Sequence, residues 1–266
     1  MIKLVATDID GTILIPEGNF SFAVKNCIGK LCEKGVKVVL VTGRMNAAAQ
    51  KIAKELGLNT PIVSYQGGLV VENGKKLYER YLTEEQAERV ISWAKEEKIH
   101  LNLYNDDVLY VEKDCYEIQR YCKNLHTVNK VKPFSEIKKN KVNKLLAIDF
   151  SSTSRIDRLE KELPKIFPDL YIVKSNPYFL EFSNPEGSKK CAVEFLQNYW
   201  GLNKEEILTI GDQNNDIALL QAGGLKIAMG NATEELKKEA DYITDTVFND
   251  GFVKAMNKFC FTETKL

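Results

Sequence analysis

Leu4-Val5-Ala6-Thr7-Asp8-Ile9-Asp10-Gly11-Thr12 is the stretch whose reading decides the fold. The run Ile2 to Ala6 is apolar but for Lys3, and Leu4-Val5-Ala6 does not alternate, the pattern of a strand buried on both faces, as in a parallel sheet. It ends in two carboxylates, Asp8 and Asp10. At the carboxyl end of a strand in an open α/β sheet, such residues lie where ligands bind. Gly11 permits a sharp turn that brings backbone N–H groups close to an anion. Two acids beside such amides call for a cation. Mg²⁺ suits oxygen ligands and keeps part of its water shell. Taken alone, Asp-Gly after a strand is also an ordinary turn, so the remainder of the chain has to decide.

The length, 266 residues, suits one large domain or two ordinary ones. Lys plus Arg number 37 and Asp plus Glu 37. That balance argues against nucleic-acid binding through a general basic surface, though a local positive pocket is compatible with it. No apolar run is long enough to span a bilayer. Asp8 and Asp10 interrupt the first apolar run too soon for a secretion signal, so a cytoplasmic protein is expected. Cys27, Cys32, Cys115, Cys122, Cys191 and Cys260 contain no CxxC pair. Reduced, mostly buried thiols are the expectation. His100 and His126 read as isolated. Neither a Cys-His nor a Ser-His-Asp arrangement is visible, nor a metal cluster built on imidazole.

Outward from the first strand, Ser21 can cap a helix with Val24, Ile28 and Leu31 on its apolar face, closing at Gly35. A second buried strand, Val36 to Val41, runs into Thr42-Gly43-Arg44. A helix to Leu56 and a third strand, Pro61 to Tyr65, ending at Gln66-Gly67-Gly68, continue the alternation of a parallel sheet. Asn73-Gly74 marks a hairpin. The pattern then changes. Thr83 to Gln86 reads as a capping box. Strands at 101–104, 108–111, 145–150, 170–173 and 179–182 mix with helices near 114–125 and 154–167, the latter interrupted near Pro164. From Glu186 the first pattern resumes. A helix starts at Ser188-Lys189-Lys190 with Ala192, Val193, Leu196 and Tyr199 on one face. The strand Ile207 to Ile210 ends in Gly211-Asp212-Gln213-Asn214-Asn215-Asp216. Tyr242-Ile243 is a last short strand, and Asp250 caps the final helix. The expected division is a core of 1–81 with 185–266, and an inserted α/β domain at 82–184.

Asp8 and Asp10, Thr42, Lys189, and Asp212 with Asp216 all fall at strand carboxyl ends or helix starts. A parallel sheet carries those ends along one edge, so they can converge. Each has a plainer reading: Thr42-Gly43-Arg44 as a turn, Lys189 as helix-surface charge, Asp212 and Asp216 as helix caps. Beside a phosphate, a Thr hydroxyl donates to an equatorial oxygen. A Lys at a helix start opposes the dipole, which favours a functional reason for it.

Together these motifs resemble the haloacid dehalogenase (HAD) superfamily, in the order found in Cof-type phosphatases of subfamily IIB. Ala228-Met229-Gly230-Asn231-Ala232, Ala240-Asp241-Tyr242 and Asp250-Gly251 extend the likeness. The resemblance implies a Rossmann-like parallel-sheet core with an inserted α/β cap that sets specificity. It implies Asp8 as nucleophile and Asp10 as acid, then base. Asp8, Asp10 (through its backbone carbonyl), Asp212 and Asp216 would hold Mg²⁺. Thr42, Gly43 and Lys189 would bind phosphate, with Asn215 and Arg44 in support. Acid duty near neutrality asks a carboxyl with a free pKa of about 3.9 to hold its proton through desolvation or acidic neighbours. The subfamily usually carries Asn-Gly after the third strand. Here Gln66-Gly67 stands, a candidate substrate contact. Lys190 stands where Gly is usual, either to meet an acidic substrate or to face solvent. The implied activity is hydrolysis of small phosphorylated metabolites, sugar or cofactor phosphates, by a monomer or small homo-oligomer without nucleic-acid or membrane partners. Tyr104, Asn105, Tyr110, Tyr178 and Glu181 are candidate substrate readers in the cap, and packing or turn duty is the plainer reading of each. Phosphoryl transfer between sugar positions and non-catalytic metabolite binding are the competing readings.

Overall fold

The computed structural model describes residues 1–15, 18–125 and 127–261. His126 lies outside the described residues. Along the chain come β1 (Leu4–Thr7), α1 (Phe22–Glu33), β2 (Lys37–Leu40), α2 (Asn46–Glu55), β3 (Ile62–Ser64), β4 (Leu69–Glu72) and β5 (Lys75–Glu79). Next are α3 (Glu84–Glu96), β6 (His100–Asn105), β7 (Val108–Val111), α4 (Tyr116–Leu125), β8 (Lys130–Val131), β9 (Val142–Ile148), α5 (Thr153–Ile166), β10 (Tyr171–Asn176) and β11 (Phe179–Ser183). The chain closes with α6 (Lys189–Trp200), β12 (Ile207–Gly211), α7 (Ile217–Ala222), β13 (Leu225–Ala228), α8 (Glu234–Glu239), β14 (Tyr242–Ile243) and α9 (Gly251–Phe259). Two compact units result: Met1–Tyr78 with Lys189–Leu266, and Glu79–Ser188. No helix among the described residues is long and apolar enough to cross a membrane.

In the first unit the sheet order is β14-β13-β12-β1-β2, and every pairing is parallel. Alternate residues of β1 serve opposite faces, as a period of two requires. Leu4 and Ala6 join Val39, Val41, Ile207, Val193 and Leu196. Val5 joins Val38, Leu40, Ile28 and Phe252 on the other side. Helices therefore cover both faces, and β1 and β12 lie side by side in the middle with their carboxyl ends together. Ser21 caps α1 by accepting from the Val24 amide.

Four expectations need correction here. The third strand does not simply extend the parallel sheet. It keeps one parallel bridge, Val41 to Val63, then pairs antiparallel with β4, because the chain reverses at once through Tyr65, Gln66 and Gly67, all with positive φ; the hairpin at Asn73-Gly74 then adds β5 to β4. Tyr199 is half-exposed rather than core; its ring stacks on Phe195 and its hydroxyl donates to Glu72. Asp250 precedes α9 but makes no side-chain cap; its carboxylate accepts from Ser21 instead. Of the cysteines only Cys27 is buried, and all six are free thiols.

The second unit packs α3 and α5 on one face of the sheet β10-β11-β9-β6-β7-β8. Ala87, Val90, Ile91, Leu159 and Leu163 meet Leu101, Leu103, Leu145, Ala147, Leu180 and Phe182 there. The capping box at Thr83 and Gln86 is present in full. Pro164 does not interrupt α5, because it sits in the last turn, where few further helical bonds are at stake. The strand expected at 145–150 begins at Val142, all seven of its residues being buried. The candidate substrate readers are drawn into the unit's own structure. Tyr104 is buried and donates to Tyr121. Asn105 accepts from the Lys141 amide. Tyr110 packs against the core. The Tyr178 ring lies against Phe150. Glu181 is buried against Lys144. His100 is not isolated either: Nδ1 lies 3.2 Å from Cys115 Sγ, a pairing between residues 15 apart that no local pattern displays.

Candidate active site

The carboxyl ends of β1 and β12 place Asp8 and Asp212 on neighbouring strands, with Lys189 arriving at the first residue of α6. Lys189 is fully buried and donates from Nζ to Asp8 Oδ1 at 2.6 Å and to Asp216 Oδ1 at 2.6 Å. Oxygens of Asp8, Asp212 and Asp216 lie within 4.8 Å of one another. The other oxygen of Asp216 accepts from the backbone amides of Asp212 and Gln213. Asp212 accepts from Thr12 Oγ1 at 2.9 Å and from Gln213 Nε2 at 3.0 Å. These bonds tie the loop after β1 to the loop after β12.

Two glycines make the approach possible. A Cβ on Gly11, whose φ is +80°, would collide with Asp212 Oδ2. One on Gly211 would come within 2.5 Å of Asp216 Cβ. Asn231 Nδ2 donates to the Gly11 carbonyl at 2.9 Å, and its oxygen accepts from the Val247 amide. Thr233 bonds Asn214, and its amide donates to the Asp212 carbonyl. Thr12, Gln213, Asn231 and Thr233 had no role assigned from sequence. The only signal was that they lie in or beside the motifs.

Thr42 is buried, and its Oγ1 accepts from the Arg44 amide; Gly43 sits in the turn between them. Arg44 reaches Asp10 with both Nε, at 2.8 Å, and Nη2, at 2.5 Å. Asp10 is therefore not a desolvated acid: its side chain is 49% exposed. Gln66 and Gly67 both have positive φ and are buried. Gln66 Oε1 accepts from Asn215 Nδ2 at 3.1 Å, so the longer amide packs toward the loop after β12. Asn215 Oδ1 is buried without a hydrogen-bond donor among the described residues. Lys190 turns away to the helix surface, 3.8 Å from Glu194.

Three buried carboxylates share one ammonium here. Burial pushes Asp8 well above its usual range, with Asp216 and Asp212 adding to the effect and Lys189 opposing it. Burial and then Asp216 lift Asp212 to about 7. Burial alone would lower Lys189, but Asp216 and Asp8 outweigh it and hold the lysine above its ordinary value. The surplus of negative charge on hard oxygen atoms fits a divalent ion such as Mg²⁺. Asp216 is held by Lys189 and by two backbone amides, whereas Asp212 meets only the side chains of Thr12 and Gln213, so Asp8 and Asp212 are the better-placed ligands.

A family model for haloacid dehalogenase-like hydrolases matches residues 5–256. A putative phosphatase of Streptococcus pyogenes, M6_Spy0533, is 30% identical over 97% of this chain and 98% of its own length. The 5-amino-6-(5-phospho-D-ribitylamino)uracil phosphatase YcsE of Bacillus subtilis is 30% identical over 96% of this chain and 94% of its own. The crystal structure of TM0651 from Thermotoga maritima superposes with a TM-score of 0.83 at 31% identity, covering 99% of both chains. With a parallel-sheet core and its acids at the strand ends, the chain belongs to the haloacid dehalogenase-like hydrolase family.

Proposed function

We propose that the protein is a Mg²⁺-dependent phosphatase that hydrolyses small phosphorylated metabolites, sugar phosphates or cofactor phosphates, through a phosphoaspartyl intermediate. The observation that carries this reading is the buried bridge from Asp8 through Lys189 to Asp216, with Asp212 beside it. Lys189 engages Oδ1 of Asp8, aims it, and opposes the upward push of burial and of the neighbouring acids on this carboxyl. Oδ2 of Asp8 attacks phosphorus, and the bond from phosphorus to the leaving oxygen breaks. Asp10 gives its proton to that oxygen; for this the Arg44 fork on Asp10 has to open. A water then attacks the phosphoaspartate, Asp10 takes the water proton, and phosphate leaves with Asp8 restored. Thr42 Oγ1 accepts from the Arg44 amide, and its hydroxyl proton is the one that binds a phosphoryl oxygen, with Gly43 beside it. Asp8, Asp212 and the backbone carbonyl of Asp10 would hold the ion, and Asp216 positions Lys189. Bound Mg²⁺ supplies charge neutralisation for the phosphoryl oxygens.

The 79–188 unit carries substrate choice, and the protein acts in the cytosol. The match to YcsE supports 5-amino-6-(5-phospho-D-ribitylamino)uracil among the substrates to be tried. The test is release of free phosphate from a panel of sugar, nucleotide, flavin and pyridoxal phosphates with and without Mg²⁺. At least one substrate should turn over only with the ion. Asp8→Asn, folded by circular dichroism, should lose on the order of 10³-fold or more in kcat. Full activity in that variant would remove the nucleophile and the proposal with it.

A further inference from the structure

The second unit holds a side-chain cluster that phosphate hydrolysis does not use. His100 opens β6, Cys115 immediately precedes α4, and Glu117 stands in the first turn of α4. One ligand atom from each residue lies within 4.8 Å of the other two.

The surroundings prepare both softer ligands. Tyr104 donates to Tyr121 and accepts from Asn102 Nδ2, which orients the Asn102 amide. Its Oδ1 then meets His100 Nε2 at 2.8 Å. An amide oxygen only accepts, so Nε2 carries the ring proton, and Nδ1 presents its lone pair to Cys115. A metal-binding histidine is held in the same way, by an acceptor on its other nitrogen. Burial, with Lys113 adding to it, holds His100 below its ordinary value and keeps the imidazole neutral. Cys115 stands at the start of α4, where the helix favours negative charge; burial and the Glu117 carboxylate raise its thiol, against the amides of Ile118 and Glu117, which lower it. Burial keeps the thiol protonated until something displaces the proton.

We propose that His100 Nδ1, Cys115 Sγ and the Glu117 carboxylate form a Zn²⁺ site, with a fourth position open to the adjoining cavity. Tetrahedral zinc with Zn–N of about 2.0 Å and Zn–S of about 2.3 Å sets nitrogen and sulfur about 3.5 Å apart. The observed 3.2 Å needs a shift of a few tenths of an ångström. The cavity, ≈ 380 Å³, is lined by all three ligands and by Lys95, Lys98 and Lys113. Those ammonium groups oppose a cation. Glu112, 3.4 Å from Lys95, offsets one of them, and two anionic ligands match the charge of the ion. Binding releases the thiol proton to solvent as the sulfur–zinc bond forms.

The test is a Co²⁺ titration of the chelator-treated full chain with Mg²⁺ in excess to occupy the carboxylate centre. One equivalent should produce a thiolate-to-cobalt charge-transfer band that Zn²⁺ bleaches. Cys115→Ser should abolish the band, and His100→Ala and Glu117→Gln should each weaken binding at least about tenfold. X-ray absorption of the zinc-loaded protein should show one sulfur near about 2.3 Å among nitrogen and oxygen ligands. No band in the parent protein, or a band of unchanged strength and affinity in Cys115→Ser, overturns the site. If Cys115→Ser does not fold, unchanged affinity in both His100→Ala and Glu117→Gln overturns it.

Discussion

Each unit of this molecule buries a lysine against a carboxylate at 2.6 Å, Lys189 with Asp8 in the first and Lys144 with Glu181 in the second. The distances match; the charge balance does not. Lys144 meets Glu181 and lies over the face of the Tyr104 ring, one cation against one anion in that contact. Lys189 answers for Asp8 and Asp216, with Asp212 adjoining. A balanced buried pair is a structural feature with modest net worth. An unbalanced one carries surplus negative charge that protons or a further cation relieve, and in this chain it is the one at the strand carboxyl ends.

The contrast breaks most visibly at Lys189. Lys189→Met should cut kcat by on the order of 10²- to 10³-fold and destabilise the metal-free fold by about 3–5 kcal/mol, since three buried carboxylates lose their counter-charge. Steady-state kinetics and urea unfolding in EDTA measure both. Next is Glu181. Glu181→Ala should cost about 3–5 kcal/mol by stranding Lys144, whereas Lys144→Met with Glu181→Leu should be nearly neutral in unfolding midpoint. Both variants should keep kcat for the fraction that is folded. A loss of kcat in the double variant would erase the distinction between the two pairs.

The surplus charge also predicts a pH dependence. Asp212 is raised to about 7 and Asp8 is raised as well. For acids raised by folding, stability is full below the unfolded value of about 4 and is lost as pH climbs through the folded one. In EDTA the melting temperature should therefore fall between about pH 5 and about pH 8, by roughly 5 °C for a loss near 2 kcal/mol. Mg²⁺ should restore it, with a gain that grows with pH. A flat profile in EDTA would mean the acids are already balanced. The smallest effect belongs to the exposed Arg44–Asp10 fork. Arg44→Ala should change stability by less than about 1 kcal/mol while moving kcat by no more than about tenfold, because the fork has to open in any case.

Much of this was readable from local pattern. Apolar runs of four or five residues ending in Asp8, Thr42 or Asp212 announced buried parallel strands with polar ends. Ser21, Thr83 and Asn73-Gly74 announced their caps and hairpin, since these signals act within four residues. The reading failed where a partner came from elsewhere in the chain. Tyr199 follows the helical period yet stands half-exposed beside Phe195. The third strand has a strand's composition, but its sheet was chosen by the reversal that follows. Tyr104 and Glu181, candidate readers for which packing was the plainer reading, are taken up by Tyr121 and Lys144.

By itself, then, the sequence determined the order of elements, the burial of the central strands and the chemical types gathered at their ends. All of these follow from side-chain period and backbone preference over a few residues. Tertiary structure alone decided that Lys189 would bridge Asp8 and Asp216, that Arg44 would hold Asp10 and that His100 would face Cys115. Charge balance and ligand geometry are properties of atoms a few ångströms apart, and chain separation carries no record of which atoms those will be.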